Sequence, residues 1–150
     1  MNLFESVICH DYGLVRAERG YTGYKTNGIH MVGICWIANF LTVVGCVAIY
    51  FIQSEKIYEL YEILQSLHYW EVAGRIVLII LLLGIHLLAF AAFGGRVIFK
   101  DIIHRFVAYE PDQKKAVVGR GGMYFYTSLI SFFVVLGILA FLMRSLPDPA

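Results

Sequence analysis

Apolar positions in this chain gather into three stretches that carry no charged side chain: Thr26–Ser54, Ile76–Gly95 and Gly121–Met143. Each, as an α-helix rising 1.5 Å per residue, is long enough to cross the roughly 30 Å hydrocarbon core of a bilayer. A soluble domain has no use for three such runs, because its helices need only one apolar face. The pattern predicts an all-α integral membrane protein with spans at about 30–53, 75–98 and 122–143. Residues 29–150 read as a single three-helix transmembrane domain, preceded by a polar segment over 1–28.

Between the first two runs the periodicity changes. Ile57, Leu60, Tyr61, Leu64 and Leu67 recur at three- and four-residue steps, with Glu55, Glu59, Glu62 and Ser66 on the opposite face. This predicts a short amphipathic helix over about 54–68, lying in the interface before Tyr69 and Trp70 anchor the second span. It serves either as a surface cap or as a docking ledge for a partner. The first 25 residues are polar and rich in glycine and tyrosine. Met1–Ile8 contains Glu5 but no positive charge, and no cleavage site follows it, so the segment is expected to be retained and docked.

Composition agrees: 59% of residues are hydrophobic and 15% charged, where an average soluble domain has about 25% charged. The mean hydropathy is +0.71. A net charge of +1 gives no general attraction to nucleic acid. Cys9, Cys35 and Cys46 show no Cys-x-x-Cys spacing, so neither a disulfide framework nor a metal cluster is expected. Basic residues are unevenly placed. Arg16, Arg19 and Lys25 precede span one, and Arg96, Lys100, Arg105, Lys114, Lys115 and Arg120 join spans two and three. The loop on the other side is acidic through Glu55, Glu59, Glu62 and Glu71. Lys and Arg concentrate on the non-translocated face, which predicts the N-terminus inside and the C-terminus outside.

One histidine falls near the middle of a run. His86 lies eleven residues after Arg75 and ten before Arg96, which places it close to the bilayer midplane. An ionisable group there is costly unless neutral and partnered. Its imidazole can ligate a haem iron, take part in a proton path, or simply hydrogen-bond a neighbouring helix. His30 is expected at the inner end of span one, so a second haem ligand would have to come from another chain. His68, His86 and His104 recur every eighteen residues, but neighbours about 27 Å apart along a helix cannot share one metal. There is no nucleophilic Ser/His/Asp set and no HExxH helix. No run carries Asp or Glu, which speaks against ion-coupled transport by this chain alone.

Three spans with an inside N-terminus, a loop over 55–75 and one histidine midway along span two resemble the membrane anchor subunits of succinate dehydrogenase and fumarate reductase. Asn27-Gly28-Ile29-His30 at the start of span one is similar to a motif at that place in small anchors of the family. The resemblance implies a b-type haem shared with a partner subunit, with His86 as an axial ligand. It also implies a quinone near the inner surface, between the anchors and an iron–sulfur subunit. Other family marks are absent. There is no Ser-x-x-His-Arg signature and no arginine in span one, and Asp101 and Tyr109 do not form the Asp-Tyr pair that follows span two.

The remaining features point to assembly. Ala91 and Gly95, with Ala92 and Gly94 beside them, form a small-xxx-small seam that lets another helix approach. Asn39 can hydrogen-bond across helices, within this chain or to a partner. Gly119-Arg120-Gly121-Gly122 has no preceding strand and no following Gly-Lys-Ser/Thr, and predicts a turn into span three. Lys114 and Lys115 are expected beside anionic lipid headgroups. The third run, almost wholly apolar, is expected to face lipid most. Together these features predict a non-catalytic anchor or accessory subunit of a multi-subunit respiratory electron-transfer complex. Its setting would be a bacterial cytoplasmic (inner) membrane or a mitochondrial inner membrane, and its partners other membrane subunits, lipid and quinone. The competing expectation is a structural or assembly subunit of a secretion- or conjugation-type machine, without cofactor, in which His86 only packs.

Overall fold

The computed structural model describes residues 1–19, 26–54, 62–63 and 71–144. Among them the chain forms helices and no strand: α1 (Leu3–Arg19), α2 (Asn27–Gln53), α3 (Glu71–Phe93), α4 (Arg96–Val107) and α5 (Pro111–Arg144). α2, α3 and α5 correspond to the three charge-free runs, and each is long and apolar enough to cross a membrane. Of the interfacial helix expected over 54–68, Ser54 is the turn that closes α2, and Glu62 and Ile63 are helical and exposed. The rest of it lies outside the described residues.

Three local features depart from the sequence pattern, and each has a chemical reason. α3 stops at Phe93, short of the expected 98. Gly94 closes the last turn by donating its N–H to the Phe90 carbonyl at 2.7 Å, and Gly95 is extended (φ −66°, ψ 129°) as it opens α4. Two successive glycines lower helix propensity by about 1 kcal/mol each relative to alanine, so the break falls there. It also ends the single helix on which His86 and His104 would have shared a face.

The second departure is α5, which runs through Gly119–Gly122 without the expected turn. Pro111 suits its first turn, and the Gln113 side chain accepts the Glu110 N–H at 3.3 Å. At 34 residues the helix is about 51 Å long, well beyond a bilayer core. Its glycines serve close packing. A Cβ on Gly121 would strike the backbone of Ser6, and one on Gly122 would strike the ring of His10.

The third is the N-terminal segment, expected to be polar and docked: it does dock, but as a helix, α1, with a buried face. Asn2 and Glu5 cap α1 reciprocally: the Glu5 N–H donates to Asn2 Oδ1 at 2.8 Å and the Asn2 N–H to Glu5 Oε2 at 2.9 Å. Ser6 to His10 are all buried. Gly28 of α2 lets the backbone of Ile8 approach, since a Cβ there would sit 2.9 Å from the Ile8 Cα.

The core follows from these contacts and sits at one end of the molecule. Val7, Ile8 and Cys9 of α1 pack with Ile29 and Val32 of α2, Ala89 of α3, Phe99, Ile102 and Phe106 of α4, and Val117 of α5. Phe4 lies edge-on to both Trp36 and Tyr124, where the spans converge. We call this end the head.

Away from the head, α2 packs against both α3 and α5, while α3 and α5 make no comparable contact with each other. The spans therefore form a row with α2 in the middle. In the most apolar stretch of α2, 28% is buried inside the chain, against 6% in α3 and 6% in α5. The third span is thus no more lipid-facing than the second.

Candidate functional site

His86 has a partner that the sequence did not assign to it. α3 ends at Phe93, seven residues beyond His86, so the histidine lies about 10 Å from the head end of that helix. His30, in the first turn of α2, meets it there, with His30 Nδ1 3.0 Å from His86 Nε2. Gly33, one turn along α2, makes the approach possible, because a Cβ at that position would collide with the His86 ring. Phe90, one turn after His86, sets its ring edge-to-face against His30 at 4.7 Å.

The two ring centroids are 5.2 Å apart and the planes differ by 23°. That separation is close to the hydrogen-bond length plus two ring radii. The rings therefore lie end to end, and their nitrogen lone-pair axes point at each other. One nitrogen carries the proton and the other accepts it, so the contact suits neutral imidazoles sharing one N–H.

A haem held between these residues needs in-line ligands, and the axes are in line. Metal–imidazole bonds near 2.0 Å, however, put opposed nitrogens about 4 Å apart. At 3.0 Å the pair is a hydrogen bond, with no room for an iron between the rings, and His86 Nε2 is already engaged. As arranged, His30 and His86 cannot hold an iron between them. Among the described residues no group of three or more His, Cys, Asp or Glu side chains could hold a metal ion.

The other candidates separate cleanly. Asn39 of α2 donates from Nδ2 to the Tyr124 hydroxyl of α5 at 2.8 Å, so its hydrogen bond is spent within the chain. Ser128 hydrogen-bonds both Tyr124 and Cys35, extending a polar seam between α2 and α5. Ala91 and Gly95 both lie on exposed surface, and Gly95 belongs to the break before α4 rather than to a continuous seam.

Three features of the head had no assigned role. His10 is buried on α1 and donates from Nδ1 to the Val118 carbonyl of α5 at 3.0 Å, while its Nε2 has no partner among the described residues. Arg105 of α4 reaches Glu5 of α1 at 2.9 Å and Asp101 at 3.1 Å. Burial opposes ionisation of Glu5, but hydrogen bonds from Asn2 and Arg105 outweigh it and hold the carboxyl below its ordinary value. Burial, helped by Glu5, pushes the Cys9 thiol up to about 12, so Cys9 is a packing residue and not a nucleophile.

No family model, curated protein or solved structure matches this chain.

Proposed function

We propose that this chain is a non-catalytic membrane-anchor or accessory subunit of a multi-subunit respiratory electron-transfer complex, in a bacterial cytoplasmic or mitochondrial inner membrane. The observation that carries the anchoring role is the division between a folded head and spans left almost bare by the chain itself. Only 6% of the apolar stretch of α3, and the same of α5, is covered from within. Helices of that kind are completed by lipid and by other membrane subunits. The clustering of Arg96, Lys100, Arg105, Lys114, Lys115 and Arg120 at the head supports placing that end inside and the C-terminus outside.

The respiratory part of the reading is supported by the meeting of Asn27–His30 with His86. The two places on which the resemblance to the succinate dehydrogenase anchors rests form one contact. The chemistry available there is a shared proton within an apolar span.

Purification of the intact complex in mild detergent tests this reading. Co-purifying iron–sulfur or quinone-reactive subunits are the expected result, and secretion or conjugation components in their place would overturn it. A visible spectrum before and after dithionite checks the histidine pair separately. The hydrogen-bonded arrangement predicts no b-type α band that depends on His86. A band lost in both His86→Ala and His30→Ala would show that the pair opens to ligate haem.

A further inference from the structure

α4 begins two residues after a membrane span ends, which keeps it close to the bilayer surface. Its rotation about its own axis is fixed. Phe99, Ile102 and Phe106 are buried in the head, Phe106 lies edge-on to Tyr12, and Arg105 is tied to Glu5. At 100° per residue, Arg96, Lys100 and His104 then follow one another one turn apart along the outer flank. All three are exposed. The side chains of Lys100 and His104 make no ion pair or hydrogen bond among the described residues, whereas Arg105 is neutralised by Glu5 and Asp101.

The same flank carries apolar residues that a water-facing helix has no reason to expose. Val97 is 81% exposed and Val107 is exposed as well. Cations interleaved with bare valines suit one environment, the boundary between acyl chains and headgroups. There the valines sit in the apolar layer, and lysine and arginine reach outward to phosphate. Beyond a short turn, Lys114 and Lys115 add two more cations at the start of α5, both clear of ion pairs among the described residues.

We propose that the outer flank of α4 is a binding surface for anionic phospholipid in the leaflet on the head side, with Lys100 at its centre and Lys114 and Lys115 extending it. Charge complementarity selects the occupant. The one acid of α4, Asp101, is engaged by Arg105, which leaves Lys100 as an uncompensated cation on this flank, and a zwitterionic headgroup offers it no net charge. The surface is independent of which complex the chain serves.

Native mass spectrometry of the full-length chain in detergent, titrated with phosphatidylglycerol or phosphatidylcholine, tests the proposal. Phosphatidylglycerol should be retained in preference, and Lys100→Gln should weaken that retention about fivefold, the contribution of one cation at a charged surface. Lys100→Arg should restore it, and Arg144→Gln at the opposite end of α5 should leave it unchanged. Wild-type retention should also weaken as salt is raised, which needs no variant to fold. Equal retention of the two lipids, a preference indifferent to salt, or a preference surviving Lys100→Gln overturns the proposal. So does equal hydrogen-exchange protection of α4 in phosphatidylcholine and phosphatidylglycerol bilayers, which would mean that something other than lipid charge covers the stripe.

Discussion

The head and the far end of this molecule are built from the same helices under different rules. At the head, all five helices contribute to one buried cluster, and glycines let backbones touch: Gly28 beneath Ile8 and Gly121 beneath Ser6. At the far end, α3 exposes Val72, Ile76, Val77, Ile79 and Ile80, and Gly137 of α5 has nothing within 4 Å of where a Cβ would be. The difference follows from solvent. Near water, removing apolar surface drives helices together. Within lipid that force vanishes, and only close packing and hydrogen bonds hold helix to helix. The chain's own buried cluster is therefore concentrated at the head, and at the far end α2 still packs on α5 where Gly45 meets Val135, while the outer faces of the spans are left to their surroundings.

Matched substitutions at the two ends should break or confirm that contrast. The largest effect is expected from Gly121→Leu, which forces a side chain into the backbone of Ser6 and displaces α1. Overpacking of a tight contact costs about 3 kcal/mol. Gly137→Leu, facing open space inside α5, should not destabilise, and should gain up to about 1 kcal/mol in helix propensity. Thermal unfolding in detergent, with hydrogen exchange along α1, measures both. Equal losses at the two positions would dissolve the distinction between head and far end.

Truncating buried apolar side chains sharpens the same comparison. Ile102→Ala removes a fully buried residue of α4 and should cost about 3 kcal/mol through lost transfer energy and the cavity left behind. Ile130→Ala, on an exposed face of α5, should cost less than about 0.5 kcal/mol in detergent.

Smaller effects come from the hydrogen bonds that tie the row of spans. A double-mutant cycle between His30→Ala and His86→Ala isolates the imidazole contact from the packing over Gly33, and about 1 kcal/mol of coupling is expected. For Asn39→Ala with Tyr124→Phe the coupling should be nearer 0.6 kcal/mol, typical of interhelical bonds in membranes. A His30–His86 coupling of zero would mean that α2 and α3 are held by packing alone.

The three spans were legible because a charge-free run longer than a bilayer is thick has few other uses. The head was harder to read for identifiable reasons. The pair Asn2 and Glu5 is a capping signature, but the apolar group that follows it, Val7, Ile8 and Cys9, is short, so the stretch read as a docked polar segment and not as a helix with a buried face. Its burial depends on Gly28 and Gly121, more than 90 residues apart in sequence, and periodicity cannot report such a contact. The partnership of His30 with His86 was hidden because the spacing of Arg75 and Arg96 set His86 mid-span and His30 at an edge. The close approach of α2 to α3 over Gly33 is a long-range contact that spacing along one helix does not report. Asn39 was legible as an interhelical donor, but its acceptor, Tyr124, was not, since aromatic residues near span ends also serve as interface anchors.

The faintest probe of the head is pH, acting through the tether between Glu5 and Arg105. The Glu5 carboxyl is held below its ordinary value of 4.5 in the folded protein. A group whose folded value is depressed contributes stability above its unfolded value and loses it as pH falls through the folded one. The contribution of Glu5 should therefore be complete near neutrality, begin to fade around pH 4.5 and disappear below the folded value. Glu5→Gln, which keeps the size and removes the charge, should be less stable than wild type at neutral pH, and the two unfolding temperatures should converge on acidification. Arg105 is half in solvent, so added salt should shrink the gap at neutral pH as well. A gap that widened in acid would reverse the sign and show that Glu5 is folded into the head as a neutral acid.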